Sequence, residues 1–198
     1  MKRFMTLSFA LIILGAFNLK KGGYEIGDKA TDFSLKNVDG EMVSMESFED
    51  AKGFIIIFTC NSCPYSVAYE DRIIALHEKY AEKGVPVIAI NPNDDEKSPE
   101  DSFEKMMVRA EEKGFPFPYV YDETQEVTKK YGATNTPHVY LIDASRTVKY
   151  IGAIDNNTQY ADKADKKYVE DAVDALLRGK EVPEKKTKAI GCTIKWAS

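Results

Sequence analysis

The sequence predicts an α/β domain in which a central mixed β-sheet is flanked by helices. Residues 53–58 and 85–90 are short apolar runs rich in β-branched residues, typical of strands buried on both faces, and a helical pattern separates them. A strand, a helix and a strand in this order form a parallel pair through a right-handed crossover. Residues 136–143 and 147–152 flank a short polar turn and predict an antiparallel hairpin, so the sheet is expected to be mixed.

Composition narrows the possible functions. The chain has 198 residues, enough for one domain that buries a core without help from disulfides, so its three cysteines are not expected to form a structural framework. With 32 acidic and 27 basic residues it is mildly negative, which gives no reason to expect nucleic acid as a partner. No motif indicates a cofactor, and we expect none.

Residues 1–22 have the pattern of a signal peptide or an N-terminal anchor. Two basic residues precede an apolar run over residues 4–17, which is shorter than the roughly 20 residues that span a bilayer. We therefore expect export to the periplasm or cell envelope, with membrane contact only if this segment stays uncleaved; a buried helix is the alternative. The rest is expected to be a single domain over residues 23–180, followed by a connector and docked tail over residues 181–198.

In the first half of the chain, the spacing of apolar and turn residues predicts a hairpin and a helix. Residues 33–36 and 41–44 predict two short strands around an Asp-Gly turn, which together form an N-terminal hairpin. After the central strand, apolar residues recur at three- and four-residue steps from Val67 to Tyr80, and Gly84 supplies the helix stop. This helix connects the two buried parallel strands.

The second half alternates helices with extended segments. The loop at residues 91–95 leaves the sheet at the same edge as residue 60, so it either borders a functional site or is a plain connection. Ser98 is the expected N-cap of a helix that runs to Lys113, with proline in its first position and acidic residues in its first turn. Further elements are an extended segment at residues 115–121 and helices at residues 122–131 and 166–178.

Cys60 and Cys63 stand where the central strand gives way to the helix. Unpaired N–H groups and the helix dipole stabilise a thiolate there, so Cys60 is the expected attacking thiol and Cys63 the thiol that closes an internal disulfide. Such attack requires an exposed edge on Cys60. The same spacing could be half of a zinc site, but the chain offers only Cys192, His77 and His138 as further ligands, and these form no second pair.

This order of elements, with the cysteine pair at a helix start and a Thr-Pro that opens the hairpin, resembles the thioredoxin fold. The N-terminal hairpin and the insertion between residues 91 and 114 resemble its redoxin branch, the alkyl hydroperoxide reductase/thiol-specific antioxidant superfamily, over about residues 25–180. Exported bacterial thioredoxin-like proteins of the redoxin type share similar strings at residues 60–65, 89–94, 137–141 and 191–195. Those relatives commonly have His where this chain has Ser62, so we expect a less acidic Cys60 and weaker metal affinity.

The resemblance implies a function and a substrate site. It implies a thiol–disulfide oxidoreductase whose partners are protein disulfides or thiols, together with an upstream electron donor or acceptor. It also implies that the peptide bond before Pro137 is cis, and that the backbone of Thr136 pairs with an extended substrate segment beside Cys60. These expectations come from the family and not from spacing, since X-Pro bonds are cis in only about 5–6% of cases.

Two other functions remain open. A redoxin-fold copper chaperone would hold Cu(I) with Cys60, Cys63 and His138, because soft thiolates favour that ion; a structural role for His138 is the alternative. A thiol-dependent peroxidase would need Pro and Thr or Ser seven and three residues before the attacking cysteine. Before Cys60 these positions hold Gly53 and Ile57, so the peroxide motif is absent.

Two further residues are candidates for auxiliary roles. Glu70 lies two helical turns beyond Cys63 on nearly the same face, where it either relays protons to the buried thiol or is simply solvated or paired in the neighbourhood of Arg72. Cys192 lies in an apolar C-terminal stretch that is expected to dock on the domain. It either approaches Cys60 and Cys63 as a third redox thiol or is buried and inert.

Overall fold

A computed structural model describes residues 22–198 of the chain, so the predicted signal segment at residues 1–22 lies almost entirely outside the described residues. Nine strands and four α-helices are present in the described part. The strands are β1 (Leu35–Asn37), β2 (Met42–Val43), β3 (Gly53–Phe58), β4 (Val87–Asn91), β5 (Tyr119–Tyr121), β6 (Asn135–Thr136), β7 (His138–Asp143), β8 (Val148–Gly152) and β9 (Cys192–Thr193). The helices are α1 (Pro64–Tyr80), α2 (Phe103–Lys113), α3 (Glu126–Tyr131) and α4 (Tyr168–Leu177).

The central sheet is mixed, as predicted. Its seven strands are ordered β2-β1-β5-β4-β3-β7-β8. β3 pairs with β4 in parallel and with β7 in antiparallel, and β4 pairs with β5 in parallel. β1 and β2 form the predicted N-terminal hairpin. This pairing places β3 inside the sheet, so the residues that follow it lie near the middle of one sheet edge.

Both faces of β3 are buried, which explains its uninterrupted apolar sequence. Ile55 and Ile57 point into a cluster covered by α1, α2 and α4. Ile56 and Phe58 point to the opposite face, where α3 and the N-terminal segment pack against them. Each of these side chains is fully buried and contributes about 1.5–3 kcal/mol to the free energy of unfolding.

Two predicted helices are shorter than expected. The helix expected from Ser98 begins instead as a 3-10 turn over Pro99–Asp101, and α2 starts at Phe103 with Ser102 as its N-cap. The helix expected from residue 122 starts at Glu126, because Gln125 has a positive φ of 58°. In both cases a side chain before the helix makes tertiary hydrogen bonds: Asp101 accepts from the loop at Asn61 and Ser62, and Gln125 donates to the carbonyls of Pro92 and Lys195.

The C-terminal segment docks on the domain, as its apolar character predicted. Thr187 accepts a hydrogen bond from the Ala153 N–H at 2.9 Å, next to the end of β8. Further on, β9 pairs with β6 in antiparallel and forms a separate two-stranded sheet. Ile194 is 4% exposed and joins the cluster that contains Phe58. Across residues 22–198, no helix combines the length and the apolar character needed to cross a membrane.

Candidate redox site

Two thiols lie at the junction between β3 and α1, as the sequence predicted. Cys60 follows the end of β3, and Cys63 is the N-cap residue of α1, with Pro64 in the first helical position. Proline fits there because the first N–H groups of a helix have no partner within it. Cys60 and Cys63 are only 3% and 2% exposed. The exposed edge expected on Cys60 is therefore absent in this arrangement.

The segment before β7 packs against both sulfurs. The peptide bond between Thr136 and Pro137 is cis, as the resemblance implied. The hydroxyl of Thr136 lies 3.2 Å from the Cys60 sulfur, and its carbonyl oxygen lies 3.1 Å from the Cys63 sulfur. One residue thus contacts both members of the pair. The edge of Thr136 that was expected to receive a substrate is already paired with β9, in which Cys192 stands opposite Thr136.

Cys192 is brought into the same cluster. Its sulfur lies 2.7 Å from the sulfur of Cys63, and its backbone N–H donates to that sulfur at 3.4 Å. All three cysteines are free thiols, and Cys192 is only partly buried. Of the two expectations for Cys192, the structure favours proximity to the redox pair over an isolated, inert thiol.

Negative charge in this cluster is most stable on Cys63. The pKa of Cys63 is lowered to about 4, first because its sulfur accepts a hydrogen bond from the Cys60 thiol, and then through donation from Cys192 and the Ser66 backbone. The pKa of Cys60 is raised, chiefly by that shared proton, with burial and the Asp101 carboxylate adding to the effect. This arrangement differs from the expectation that the helix start acidifies Cys60, because the Cys60 thiol is the donor to Cys63.

A buried carboxylate holds the loop between the two cysteines. Asp101 is fully buried and accepts hydrogen bonds from the backbone N–H groups of Asn61 and Ser62 at 2.7 and 3.0 Å. It also accepts from the Ser62 hydroxyl, the Ser98 hydroxyl and the Asn93 amide, each at 2.7 Å. Ser62, the departure from the relatives' pattern, therefore anchors the loop to this carboxylate.

The loop after β4 borders the site, which was one of the two expectations for residues 91–95. Asn91 donates from its side-chain amide to the Asp101 carbonyl at 2.7 Å. Asn93 donates to the Asp101 carboxylate and accepts, through its Oδ1, the Lys195 N–H at 2.9 Å. This loop therefore connects the cysteine loop with the C-terminal tail.

Glu70 is engaged elsewhere. Its carboxylate forms two hydrogen bonds of 2.8 Å with the Arg109 guanidinium and an ion pair of 3.2 Å with Lys113, both on α2. Its side chain is only 5% exposed, so it is neither solvated nor paired near Arg72, which contacts Asp155 instead. Glu70 therefore connects α1 to α2. Among the contacts of the described residues, it has no hydrogen bond to either thiol, and its role as a proton relay remains a prediction.

His138 and the two cysteines are not brought together as a ligand set. The ring nitrogen Nδ1 of His138 accepts the Thr134 N–H at 3.4 Å, and the ring packs on Tyr140, with centroids 5.0 Å apart. It shares the sheet face of Tyr140, opposite α1. Burial lowers the pKa of His138 to about 4. Within residues 22–198, no three His, Cys, Asp or Glu side chains are grouped so that they could hold a metal ion.

Sequence reasoning missed Asp101 and Asn93 as parts of the site. Asp101 was assigned only to the first turn of a helix, where acidic residues are common. A signal was present, because Asn93 lies in the loop expected at the sheet edge of Cys60 and Asp101 follows that loop closely. Spacing alone does not show that the turn folds back and turns the carboxylate towards the cysteine loop.

Comparison with known proteins agrees with this architecture. The model of the AhpC/TSA family matches residues 26–151. Two relatives named thiol-disulfide oxidoreductase ResA are each 30% identical to the chain. The one from Halalkalibacterium halodurans aligns over 117 residues, 59% of this chain and 62% of the relative, so the chain covers less than two thirds of its length. The one from Bacillus thuringiensis subsp. konkukian aligns over 144 residues, 67% of this chain and 77% of the relative.

Solved structures show the same fold. An uncharacterized conserved protein from Geobacillus kaustophilus is 42% identical, with a TM-score of 0.82 over 87% of this chain and 93% of that one. A thiol:disulfide interchange protein of the thioredoxin family from Chlorobium tepidum TLS is 21% identical, with a TM-score of 0.54 over 65% of this chain and 87% of that one, and shows a shared fold only. Since the family model covers more than half of the sequence, the chain belongs to the AhpC/TSA family, and its fold is thioredoxin-like.

Proposed function

We propose that this protein exchanges disulfides with protein or small-thiol substrates through Cys60 and Cys63. The observation that carries the proposal is that both sulfurs lie against Thr136 of the cis Thr136–Pro137 segment, with Cys60 3.2 Å from its hydroxyl and Cys63 3.1 Å from its carbonyl. Two cysteines three residues apart at a helix start, held against the same residue, can form a disulfide with little rearrangement. An upstream donor or acceptor of electrons completes the cycle.

The reaction proceeds in two exchanges. The Cys60 thiolate attacks one sulfur of a substrate disulfide, a mixed disulfide forms, and one substrate sulfur leaves as a thiolate. The Cys63 thiolate then attacks the Cys60 sulfur, and the second substrate thiolate leaves. The substrate gains two electrons and two protons, and the protein retains the Cys60–Cys63 disulfide. Oxidation of a substrate dithiol is the reverse of these steps.

The surroundings of Cys63 support its role as the resolving thiol. Its sulfur is enclosed by the Thr136 carbonyl and by the thiol and N–H of Cys192. A substrate that displaces Cys192 removes two groups that stabilise charge on Cys63. Displacement of the tail therefore weakens the preference for negative charge on Cys63, which favours the Cys60 thiolate that the attack requires.

Insulin reduction tests the activity. The purified protein should accelerate the precipitation of insulin by dithiothreitol, and Cys60→Ser should lose this acceleration. The matched control is Cys192→Ser, which leaves the Cys60–Cys63 pair intact and should retain activity. Wild-type protein that gives no acceleration over dithiothreitol alone would contradict the proposal.

A trapping experiment tests the assignment of roles. Cys63→Ser cannot resolve the mixed disulfide, so it should accumulate a covalent complex with a substrate protein on non-reducing gels. Cys60→Ser should not. For this experiment both variants should also carry Cys192→Ser, so that no other thiol can resolve or form the complex. Equal trapping by both would show that the roles are assigned wrongly.

The proposed setting of this reaction is outside the cytoplasm, in the periplasm or cell envelope. The support is the charged and apolar pattern of residues 1–22. An oxidising compartment is also where disulfides persist, so disulfide-bonded substrates are available there.

A further inference from the structure

The C-terminal tail occupies the edge at which an extended substrate was expected to bind. We call residues 191–195 the tail strand. Cys192 pairs in register with Thr136, and the Asn135 side-chain amide donates to the Gly191 carbonyl at 2.9 Å. The Ile194 N–H donates to the Thr134 carbonyl at 3.2 Å. The tail strand thus makes the backbone pairing that a substrate segment would make beside the redox pair.

The tail strand is fixed at both of its ends. A Cβ atom on Gly191 would lie 2.1 Å from the Thr136 carbonyl oxygen, so the close approach of the two backbones requires glycine. At the other end, the Lys195 N–H donates to Asn93 at 2.9 Å, and the Lys195 carbonyl accepts from the Gln125 amide at 2.7 Å. These contacts hold the intervening residues in one register.

This register places a third thiol against the redox pair. The sulfur of Cys63 lies 2.7 Å from the sulfur of Cys192, and the sulfurs of Cys63 and Cys60 both contact Thr136. Cys63 therefore has two possible disulfide partners on the same polypeptide. Cys192 is also the least buried of the three.

We propose that Cys192 takes over the disulfide from Cys60, so that the oxidised protein holds a Cys63–Cys192 bond. This inference deepens the proposed function, because it rests on the formation of a Cys60–Cys63 disulfide during exchange. The Cys192 thiolate attacks the Cys63 sulfur, the Cys63–Cys192 bond forms, and the Cys60–Cys63 bond breaks. Cys60 leaves as a thiolate and takes up the proton that Cys192 released. No net oxidation occurs, and Cys60 is again a free thiol.

The charges around Cys192 agree with transfer of the disulfide from Cys60 to Cys192. In the reduced protein, burial and then the neighbouring Cys63 raise the pKa of Cys192 to about 11, while Lys195 lowers it. When Cys63 is part of a disulfide it carries no charge and accepts no proton. The contribution of Cys63 to the raised pKa of Cys192 then disappears. The Cys192 thiolate therefore forms more readily once Cys63 is part of the disulfide that Cys192 attacks.

Disulfide mapping of the full chain tests the proposal. Protein oxidised with glutathione disulfide is quenched in acid, alkylated with N-ethylmaleimide and digested with trypsin. Cys60 and Cys63 lie on the tryptic peptide of residues 53–72, and Cys192 lies on that of residues 189–195. We expect the two peptides to be linked in the main oxidised species, with N-ethylmaleimide on Cys60. Any other main species overturns the proposal, including an internal disulfide in residues 53–72 with Cys192 alkylated.

Three variants serve as controls. Gly191→Ala keeps all three thiols but removes the close approach to Thr136, so its main oxidised species should have the internal Cys60–Cys63 disulfide. Thr193→Ala changes an exposed residue of the same strand and should map like the wild type. Cys192→Ser should also give the internal disulfide, which shows that the method detects that bond.

These measurements separate the two proposals. If Cys192→Ser forms the Cys60–Cys63 disulfide and reduces insulin while the wild type shows no linked peptide, only the role of Cys192 is refuted. If Cys192→Ser forms no disulfide and has no activity, the exchange function itself fails.

Discussion

The positions of Cys60 and Cys63 relative to α1 affect the distribution of charge between them. Cys63 is the N-cap of α1, whereas Cys60 lies three residues earlier, outside the helix. The Ser66 N–H of the first helical turn therefore stabilises charge on Cys63, and Asp101 opposes charge on Cys60. While the tail strand is docked, the hydrogen bond from the Cys60 thiol contributes most to the lowered pKa of Cys63, and the start of the helix adds to it.

This charge distribution predicts the pH at which the thiolate is lost. Because the pKa of Cys63 is lowered to about 4, the reduced protein should keep one thiolate at neutral pH and lose it as the pH falls through about 4. The measurement is thiolate absorbance near 240 nm during acid titration. Cys63→Ser should abolish the transition, and Cys192→Ala should move it to higher pH because a hydrogen-bond donor is lost. A single transition near pH 9 in the wild type would disprove the assignment.

The carboxylate of Asp101 should also control the reactivity of Cys60. Asp101→Asn removes the negative charge that raises the pKa of Cys60, so Cys60 should react with iodoacetamide at lower pH. The comparison is made in protein that also carries Cys63→Ser and Cys192→Ser, where Cys60 is the only thiol. Glu100→Gln is the matched control, because it removes an adjacent exposed charge that does not contact the cysteine loop. A pH profile that Asp101→Asn leaves unchanged would limit Asp101 to a structural role.

Among the elements, α1 and α2 are joined by a buried ion pair. The Glu70 side chain is 5% exposed and bonds both Nε and Nη2 of Arg109. α1 carries the cysteine pair at its N-terminus, and Asp101 immediately precedes α2, so this pair helps to hold the two halves of the site together.

Breaking this ion pair should destabilise the domain without changing the thiols. Glu70→Gln leaves the Arg109 guanidinium partly unpaired, which should lower the free energy of unfolding by on the order of 3 kcal/mol. Urea unfolding measures the change. Glu181→Gln, which breaks an exposed pair with Lys185, is the control and should have little effect. If Glu70→Gln also changed the alkylation rate of Cys63 at a pH where both proteins are folded, the proton-relay role would gain support.

The tail strand predicts the accessibility of Cys63. Deletion of residues 189–198 should increase the reaction of Cys63 with iodoacetamide, because it removes the groups that cover the sulfur. Cys192→Ser in the full chain is the control, since it removes the thiol and leaves the tail in place. Ile194, not the 40% exposed Trp196, is the buried anchor, so Ile194→Ala should have an intermediate effect. Unchanged reactivity after the deletion would mean that the tail does not shield Cys63.

The sequence predicted local elements better than contacts between distant elements. The apolar run before Cys60 was sufficient to predict β3, because its signal lies within a few residues. Gly84 ends the helical segment as expected, although α1 itself ends at Tyr80 and a 3-10 turn over Ala81–Lys83 separates the two. The pairing of Cys192 with Thr136 and the fold of Asp101 towards Ser62 depend on tertiary structure. No periodicity encodes such contacts, and Gly191 acquires its meaning only once the Thr136 carbonyl is seen beside it.

At the scale of the whole molecule, the residues directly after the predicted signal segment already pack against the domain. The Tyr24 N–H donates to the Tyr131 carbonyl at 3.0 Å, and the two rings pack edge to face with centroids 5.0 Å apart. A Cβ on Gly23 would lie 2.2 Å from the Tyr131 carbonyl oxygen, so the chain is already closely packed at residue 23.

The packing of residues 23 and 24 predicts different effects for two N-terminal deletions. Removal of residues 1–22 should leave the free energy of unfolding nearly unchanged but abolish export, as measured by cell fractionation. Removal of residues 1–26 should destabilise the domain, because Tyr24 is lost from the apolar cluster beneath β3 and β7. Export of the protein that lacks residues 1–22 would contradict the predicted signal.

The side chain of Asn93 joins the tail strand to the cysteine loop. It donates to the Asp101 carboxylate that holds Ser62, and it accepts the backbone N–H of Lys195. Thermodynamic linkage makes such coupling reciprocal. If oxidation of the pair changes the free energy of tail docking, then docking changes the reduction potential of the pair by the same free energy. A partner that draws the tail away therefore sets the potential of the cysteines without contacting either sulfur.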